Sequence, residues 1–441
     1  MSDLLGIGYT GLRAYSKALS TIGDNIANAQ TPGYARRRLD LTEVPGGSNM
    51  VLYRGSITPG GVDIKGVVRS VDQWLIADAR ISSGDSERAA AKLDWMNRVE
   101  SALSDDSNGI KTALTKLYTT ADQLTADPSN PTLRAQFLQA ASDIAAGFQT
   151  AANRLNSLSE GVSAAATAGV SQFNTNLGAL EQVNLGLRKA REGTTNQAAL
   201  LDERDRLLDQ LSSQAGVSAT FDSHGAVTLR ATGSGDMLVG GGVVTPIAMT
   251  TAADGRISYT LGGSPFANAT GSLAGYAEAS NHIADQRAGL DTKASQFAAQ
   301  INTAHQAGLD ANGNPGQPLF TGTTAATLTA TTLTPAQVAA ATSTSTNGNM
   351  LAFGAMRGAN DPEATWSSHL ATQAQATASA RAQDAAATTR ADGAAAARDN
   401  VSEVNLDNEA AELLRFQQAY SAAARTIQVA RETMQTLLSS L

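Results

Sequence analysis

The stretch NIANAQTPGYARRR, Asn25–Arg38, ends one pattern and opens another. Before it, Leu5, Leu12, Leu19 and Ile26 recur every seven residues, and Gly8, Tyr15, Ile22 and Ala29 each follow three residues later. That spacing is the a/d seam of a helix over about four heptads. Within the stretch, Thr31 precedes a proline and is pushed toward extended backbone. Pro32-Gly33 presets a tight turn, and Tyr34 follows as a large anchor. Asn25, Asn28 and Gln30 offer hydrogen bonds to whatever the turn meets. Arg36–Arg38, the basic triplet, reads as a solvated turn or strand edge.

A lone helix with an apolar seam is marginal, because most helical stability comes from packing that seam. The partner is sought at the other end of the sequence. There Leu406, Leu413, Tyr420, Ile427, Met434 and Leu441 stand seven apart, with Ala410, Gln417, Ala424 and Leu438 four residues after members of that row and Phe416 between. At ~1.5 Å per residue this helix is roughly 50 Å long. The two seams are expected to meet, so that residues 1–38 and 401–441 form a coiled-coil unit.

Between them, residues 86–211 read as almost wholly helical. Leu93, Met96, Val99 and Leu103 make one stripe, and Ile110, Leu114, Leu117 and Leu124 make another. TADPSNPT, Thr125–Thr132, breaks the run, and a long helix follows with Phe137, Ile144, Phe148, Leu155, Phe173, Leu177, Leu180 and Leu187 on one face. From 216 to 271 the period becomes two, with turns at His224-Gly225 and Asp254-Gly255. Helix returns from 273 to 307. The segment near 308–350 has the composition of a flexible, loosely packed loop. Alanine fills half the positions from Ala371 to Arg398. That helix buries little by itself and is expected to lie on the long helix of residues 131–191. The fold expected is mainly α with a β insertion. Its units are the terminal coiled coil, a long-helix bundle over 39–215 and 272–400 with a strand-like segment near 39–70, and a small β domain over 216–271.

Composition narrows the chemistry. Of 441 residues only 16% are charged, against about 25% in an average domain. The net charge of −8 and the lack of a basic run argue against nucleic-acid binding. With no cysteine there is neither a disulfide nor a thiolate metal site. No stretch is apolar enough to insert in a bilayer. Residues 1–20 lack a charged start followed by an apolar block, so a removable signal peptide is not expected.

GIGYTG (Gly6–Gly11) matches a dinucleotide fingerprint in letters only, since no strand precedes it. DANGNPGQPLF (Asp310–Phe320) opens like a calcium loop but has Pro315 where glycine is needed and Thr321 where glutamate is needed. His224, His282, His305 and His369 form no metal-ligand spacing. The carboxylates of LLDERDRLLDQL (Leu200–Leu211) alternate with Arg204 and Arg206 and read as a salt-bridged helix surface. No catalytic, cofactor or metal site is expected.

NIANAQTPGYARRR resembles the signature near the start of bacterial flagellar axial proteins, the rod, hook and hook-associated group. VNLDNEAAELLRFQQAYSAAARTIQVARETMQTLLSSL (Val404–Leu441) resembles their final helix, and LDNEAAELLRFQQAYSAAARTI is most similar to hook-associated members. GGVDIKGVVRSVDQWL (Gly60–Leu75) and LLDERDRLLDQLS (Leu200–Ser212) also look like that group. The resemblance implies a structural part of the flagellum, outside the cell, exported unfolded by the flagellar type III route without a cleaved signal. It implies self-association in a ring or helical layer at the junction between hook and filament. The implied neighbours are the hook protein and a second junction protein, and an export chaperone is implied on the final helix. No nucleic acid and no membrane insertion are implied. Paired terminal helices would form an inner tube, with the helical middle around it and the β insertion outward. The residues carried into that role are Leu5, Leu12, Leu19, Ile22, Asn25, Ile26, Asn28, Pro32, Gly33, Tyr34, Leu406, Leu413, Phe416, Tyr420, Ile427, Met434 and Leu438. The sequence departs from longer relatives in having room for one small β domain only.

Overall fold

Helix α1 (Ser2–Ala27) stops where the pattern breaks, and the chain enters an antiparallel ribbon of β1 (Arg37–Val44) and β2 (Gly61–Arg69). The computed structural model describes residues 2–44, 60–104, 109–358 and 361–439. The strand-like expectation across 45–59 and the heptad position Leu441 lie outside the described residues.

Asp72 starts α2 (Gln73–Leu103): its carboxylate accepts from the Trp74 and Leu75 amides, two donors that the first helical turn would otherwise leave unpaired. After α3 (Ile110–Ala126), Asn130 caps α4 (Pro131–Lys189) with Pro131 in its first turn. The 59 residues of α4 span roughly 90 Å. Thr194 caps α5 (Thr195–Gln214) through the Gln197 amide.

The period-two region folds into two small antiparallel sheets. One comprises β3 (Val217–Phe221), β4 (Val227–Ala231), β5 (Met237–Gly240) and β6 (Val243–Val244), and the other β7 (Ile247–Thr251), β8 (Ile257–Leu261) and β9 (Ser264–Pro265). Then come α6 (Gly271–Gln306), the short pair β10 (Phe320–Thr321) and β11 (Thr329–Ala330), α7 (Gly348–Ala355), α8 (Pro362–Ser402) and α9 (Leu406–Ser439).

The expected apolar stripes are the core. Leu114 and Leu117 of α3, Phe137, Phe148, Phe173 and Leu177 of α4, and Phe297 of α6 belong to one buried cluster, which continues into Leu229, Leu238 and Tyr259 of the sheets. Three asparagines join helix to strand by a device the periodicity does not reveal. Asn184 donates to the Val227 carbonyl and accepts from its amide at 2.9 and 2.8 Å. Asn174 does the same to Ile247 and Asn302 to Phe320. Each side-chain amide substitutes for a neighbouring strand, so these edge groups are satisfied away from water.

Two expectations need correction. The Ala-rich α8 packs on α2, not on the long α4: Arg381 reaches Asn97, Gln373 reaches the Met96 carbonyl, and the Ser86 and Thr388 hydroxyls meet at 3.3 Å. The physical reason is size: the buried residues along α8 include the small Thr377, Ala380, Ala387 and Ala394, which let its backbone approach a neighbouring helix closely.

The segment near 308–350 is packed, not loose. Leu319, Phe320, Ala325, Leu328, Val338 and Ala340 are buried in the main cluster. Arg134 donates to the Pro335, Ala336 and Val338 carbonyls. Fully buried His305 bonds the Gln317 carbonyl through Nδ1 and accepts from the Ala339 amide through Nε2. In the calcium-like stretch the Asp310 carboxylate accepts from the Asn312 and Asn314 amides, which makes it a turn.

His305 carries a pH prediction. Burial pushes its pKa below the usual histidine value, against the raising effect of the Gln317 carbonyl. A depressed histidine is neutral in both states above the unfolded pKa of about 6.5, so its stabilisation is complete there and is lost as pH falls below it. Protonated Nε2 would set an N–H against the Ala339 N–H. Amides of 308–348 are therefore expected to exchange faster at pH 5 than at pH 7 after correction for intrinsic rates. In His305→Asn the extra acid acceleration should vanish, and an unchanged pH response in that variant would refute the assignment. His369, pushed down to about 4 by burial, Lys293 and His282, acts in the same direction on global stability, so the local readout is needed.

Candidate assembly site

Helices α1 and α9 lie against each other, and the contact is closer than an all-leucine seam allows. The buried positions of α1 are Gly8, Gly11, Ala14, Ala18, Thr21, Ile22 and Asn25. A Cβ at Gly8 would sit 2.7 Å from Ile427 Cγ1, so glycine is what lets Ile427 enter. Gly11 faces Ala423, and Tyr15 meets Phe416 with ring centroids 6.1 Å apart.

The expected residues separate accordingly. Leu413, Phe416, Tyr420 and Ile427 are half-buried on the α9 side that faces α1. Leu5, Leu12 and Leu19 flank the seam, half-buried, and Ile26 is exposed. Leu406, Met434 and Leu438 are exposed on α9. The seam thus runs through one of the two expected rows on each helix, together with small residues that hydrophobicity does not single out.

At the base of the pair the opening stretch becomes a polar latch. Asn28 ends α1 by donating from its side chain to the Asp24 carbonyl. The Tyr34 amide bonds the Thr31 carbonyl at 3.1 Å, and Gly33 has φ +80°, which closes a type II turn with Pro32 and Gly33 at its exposed tip. Tyr34 is returned beneath α1, where its hydroxyl donates to Asn25 Oδ1 at 2.8 Å.

Asn25 is 1% exposed and uses its full hydrogen-bonding capacity. Oδ1 also accepts from the Arg37 amide, and Nδ2 donates to the Arg37 carbonyl and to Glu409 Oε2. Glu409 is also 1% exposed, and Arg36 Nε meets its other oxygen at 2.6 Å. One asparagine therefore joins the end of α1, the returning strand and the first turn of α9. Burial, followed by the neighbouring carboxylates, outweighs Arg37 and pushes the Tyr34 hydroxyl up to about 12, so it remains a donor at any ordinary pH.

Behind the latch lies a buried ion network. Arg37 is over the Tyr34 ring and pairs with Asp202 at 2.6 Å. Arg69 pairs with Asp202 and Asp205, each at 2.7 Å. Asp205 also takes Arg204 and Arg80, and Asp209 takes Arg80 and Arg398. Burial raises the Asp205 pKa, but Arg204, Arg69 and Arg80 together hold the carboxyl below the usual range. Two expectations fail here. Arg37 of the basic triplet is buried instead of solvated, although Arg38 is exposed, and Arg204 and Asp205 are buried instead of surface-exposed. The partners lie far away in sequence, so local alternation could not reveal them.

Glu409 was not among the expected residues. Its signal was present: it follows Leu406 by three and precedes Leu413 by four, a seam position occupied by a charge. A charge in a seam requires a partner from elsewhere. A groove of about 410 Å³ opens beside the latch, lined by Pro32, Gly33, Tyr34, Arg80, Arg206 and Arg398 among others. Among the described residues no cluster of His, Cys, Asp or Glu is placed to hold a metal ion, and no helix is long and apolar enough to cross a membrane.

Comparison with known proteins places this architecture. The helical domain of flagellar hook-associated protein FlgK matches residues 96–320. The flagella basal body rod protein profile matches residues 5–34, and the flagellar basal body rod FlgEFG protein C-terminal profile matches residues 398–440. Flagellar hook-associated protein 1 of Escherichia coli is 25% identical over 332 residues, which cover 73% of this chain and 60% of that protein. The Salmonella typhimurium protein of the same name is 27% identical, over 73% of this chain and 59% of its own. That of Bacillus subtilis is 23% identical over 98% of this chain and 96% of its own. The chain thus spans about 60% of the two enterobacterial relatives. The structure of the flagellar hook junction protein FlgK from Burkholderia pseudomallei aligns with TM-score 0.49 and 22% identity, over 55% of this chain and 46% of that one. With its helical domain matched across more than half of its length, the chain belongs to the flagellar hook-associated protein FlgK family.

Proposed function

We propose that this chain is a structural, non-enzymatic subunit of the bacterial flagellar axis. It forms the junction between hook and filament and self-associates through the α1–α9 pair. The observation that carries this reading is the pair itself: two long helices latched to the helical body at one end, with apolar residues still facing solvent. Leu4, Ile7, Leu414, Val429, Met434 and Leu437 are all more than 40% exposed. Such residues at the end of a helix pair fit burial by neighbouring copies. Residues 1–38 with 401–441 are the proposed assembly unit, 39–215 with 272–400 the proposed body, and 216–271 the proposed outer part. Export through the flagellar type III route, contact with hook protein and a second junction protein, and a chaperone on α9 belong to the same reading.

Deleting the gene tests it. Cells should build hooks without filaments and shed flagellin into the medium, and restored filaments should follow when the gene is returned. Intact filaments in the deletion strain would refute the role. A second prediction concerns the turn. Pro32→Ala with Gly33→Ala forces alanine into positive φ and frees the turn that aims the chain away from α1. Because both residues are exposed, the melting of the body should change little, whereas filament attachment should fall severely. Wild-type motility in the double variant would show the turn to be incidental.

A further inference from the structure

Among the described residues no large apolar side chain is more exposed than Trp74, at 87%. It stands in the first turn of α2, rigidly placed by the Asp72 cap. Ile81, 63% exposed, follows one heptad later on the same face, with exposed Asp78 between them. A tryptophan presents 150–250 Å² of apolar area in general, and interface anchors are enriched in this residue. α8 covers another side of α2, and among the described residues nothing covers this one.

The back of α9, turned away from α1, has the complementary character. Arg425 and Val429 are one turn apart there, and Val429 is 60% exposed. Glu432 shares that face, three residues past Val429 and one heptad past Arg425, so Arg425 marks one end of the patch and Glu432 the other. Among the described residues neither the Asp78 nor the Arg425 side chain has a hydrogen bond or ion pair. One patch sets Asp78 among its apolar residues, and the other sets Arg425 one turn from Val429.

Resting on the self-assembly reading above, we propose that the Trp74–Asp78–Ile81 face of α2 receives the Arg425–Val429 face of α9 from a second copy of this chain. Asp78 meets Arg425, and Trp74 and Ile81 close over Val429. The chain cannot make this contact with itself. Trp74 sits at the latch level, whereas Arg425 and Val429 lie about 24 and 30 Å beyond Glu409 along α9 at ~1.5 Å per residue. A copy displaced along the helix axis by that amount brings the patches level. Two different patches make a heterologous contact, which repeats from copy to copy and, with an axial displacement at each step, generates a helical layer.

The chain has no cysteine, so single cysteines report the contact cleanly. Full-length Ile81→Cys and Val429→Cys chains are mixed under conditions where the wild type sediments as an oligomer, then oxidised. A mixed dimer at least about ten-fold above either variant alone is expected, because only unlike patches meet. A dimer of Ile81→Cys with itself would overturn the proposal in favour of a symmetric contact. Absence of the mixed dimer while the wild type still sediments as an oligomer would overturn the proposal and leave assembly through the helix pair standing. A wild-type chain that stays monomeric, both at milligram-per-millilitre concentration and when extracted from flagellated cells, would sink the assembly reading and this contact with it.

Charge exchange gives a second readout. Asp78→Arg and Arg425→Asp should each weaken association about ten-fold, and the double variant should recover to within about three-fold of wild type. Both residues are exposed, so folding is not at stake. Failure of the double variant to recover would exclude the pairing.

Discussion

Asn25→Leu is expected to free the first turns of α9 from the body of the molecule. Leucine has nearly the shape of asparagine but none of its hydrogen bonds. Four buried groups lose their partner together: the Arg37 amide, the Arg37 carbonyl, the Tyr34 hydroxyl and Glu409 Oε2. An unsatisfied buried polar group costs roughly 1–3 kcal/mol, and local relaxation recovers part of it, so a total of about 3–5 kcal/mol is expected. The loss falls on the latch and not on the core around Phe137 and Phe148. Hydrogen exchange should therefore show residues 405–420 and 34–40 opening faster by two orders of magnitude or more, with α4 unchanged. Hook–filament attachment in cells should fail with it. Glu409→Gln, which keeps the shape and can still accept from Asn25, should cost less than half as much. If Asn25→Leu leaves exchange at 405–420 within about two-fold of wild type, the latch does not hold α9.

How much of this could be read from residues alone follows from the range of each interaction. The stripe of Phe137, Ile144, Phe148 and Leu155 marks α4 because each member is within a turn or two of the next, and the strands of 216–271 are legible for the same reason. The Asp72 and Asn130 caps are local too. The partner of α8 was not legible. A helix half alanine presents no large side chain to specify a complement, and the buried face of α8 is made largely of small residues such as Ala380 and Ala387.

The 308–348 segment was misread because its burial has no period. Phe320, Val338 and Ala339 are tied by side-chain bonds to Asn302 on α6, Arg134 on α4 and His305 on α6. In the candidate site, the turn and the two seams were visible, whereas Glu409, Arg37 and Asp205 were not ranked. Asn25 and Glu409 are 384 residues apart, and Arg37 and Asp202 are 165 apart. Local spacing shows that a charge is present. Whether it is buried depends on the fold bringing an opposite charge to it.

Asp205→Ala should be strongly destabilising. The carboxylate is 7% exposed and takes Arg204, Arg69 and Arg80 on its two oxygens. Removing it leaves three guanidiniums close together in a site that admits little water. Asp202 remains to Arg69, and Asp209 to Arg80, but Arg204 keeps the Gly225 carbonyl and the Phe221 ring and no carboxylate. Breaking a buried pair by deleting one partner costs about 3–5 kcal/mol. Asp209→Ala, at a 40% exposed carboxylate, should cost less than about 1 kcal/mol.

The pH dependence follows from the same geometry. Because the folded Asp205 pKa lies below the unfolded value of about 3.9, its stabilisation is complete above that value and disappears as pH falls through the folded pKa. The wild type should lose stability progressively below about pH 4, and Asp205→Ala should show a shallower acid limb starting from a lower plateau. Salt should change the plateau difference little, since buried pairs are weakly screened. Urea midpoints of both variants at pH 7 and across pH 5 to 3 measure all of this. Equal midpoints for Asp205→Ala and Asp209→Ala at pH 7 would show that the network behind the latch does not hold the body together.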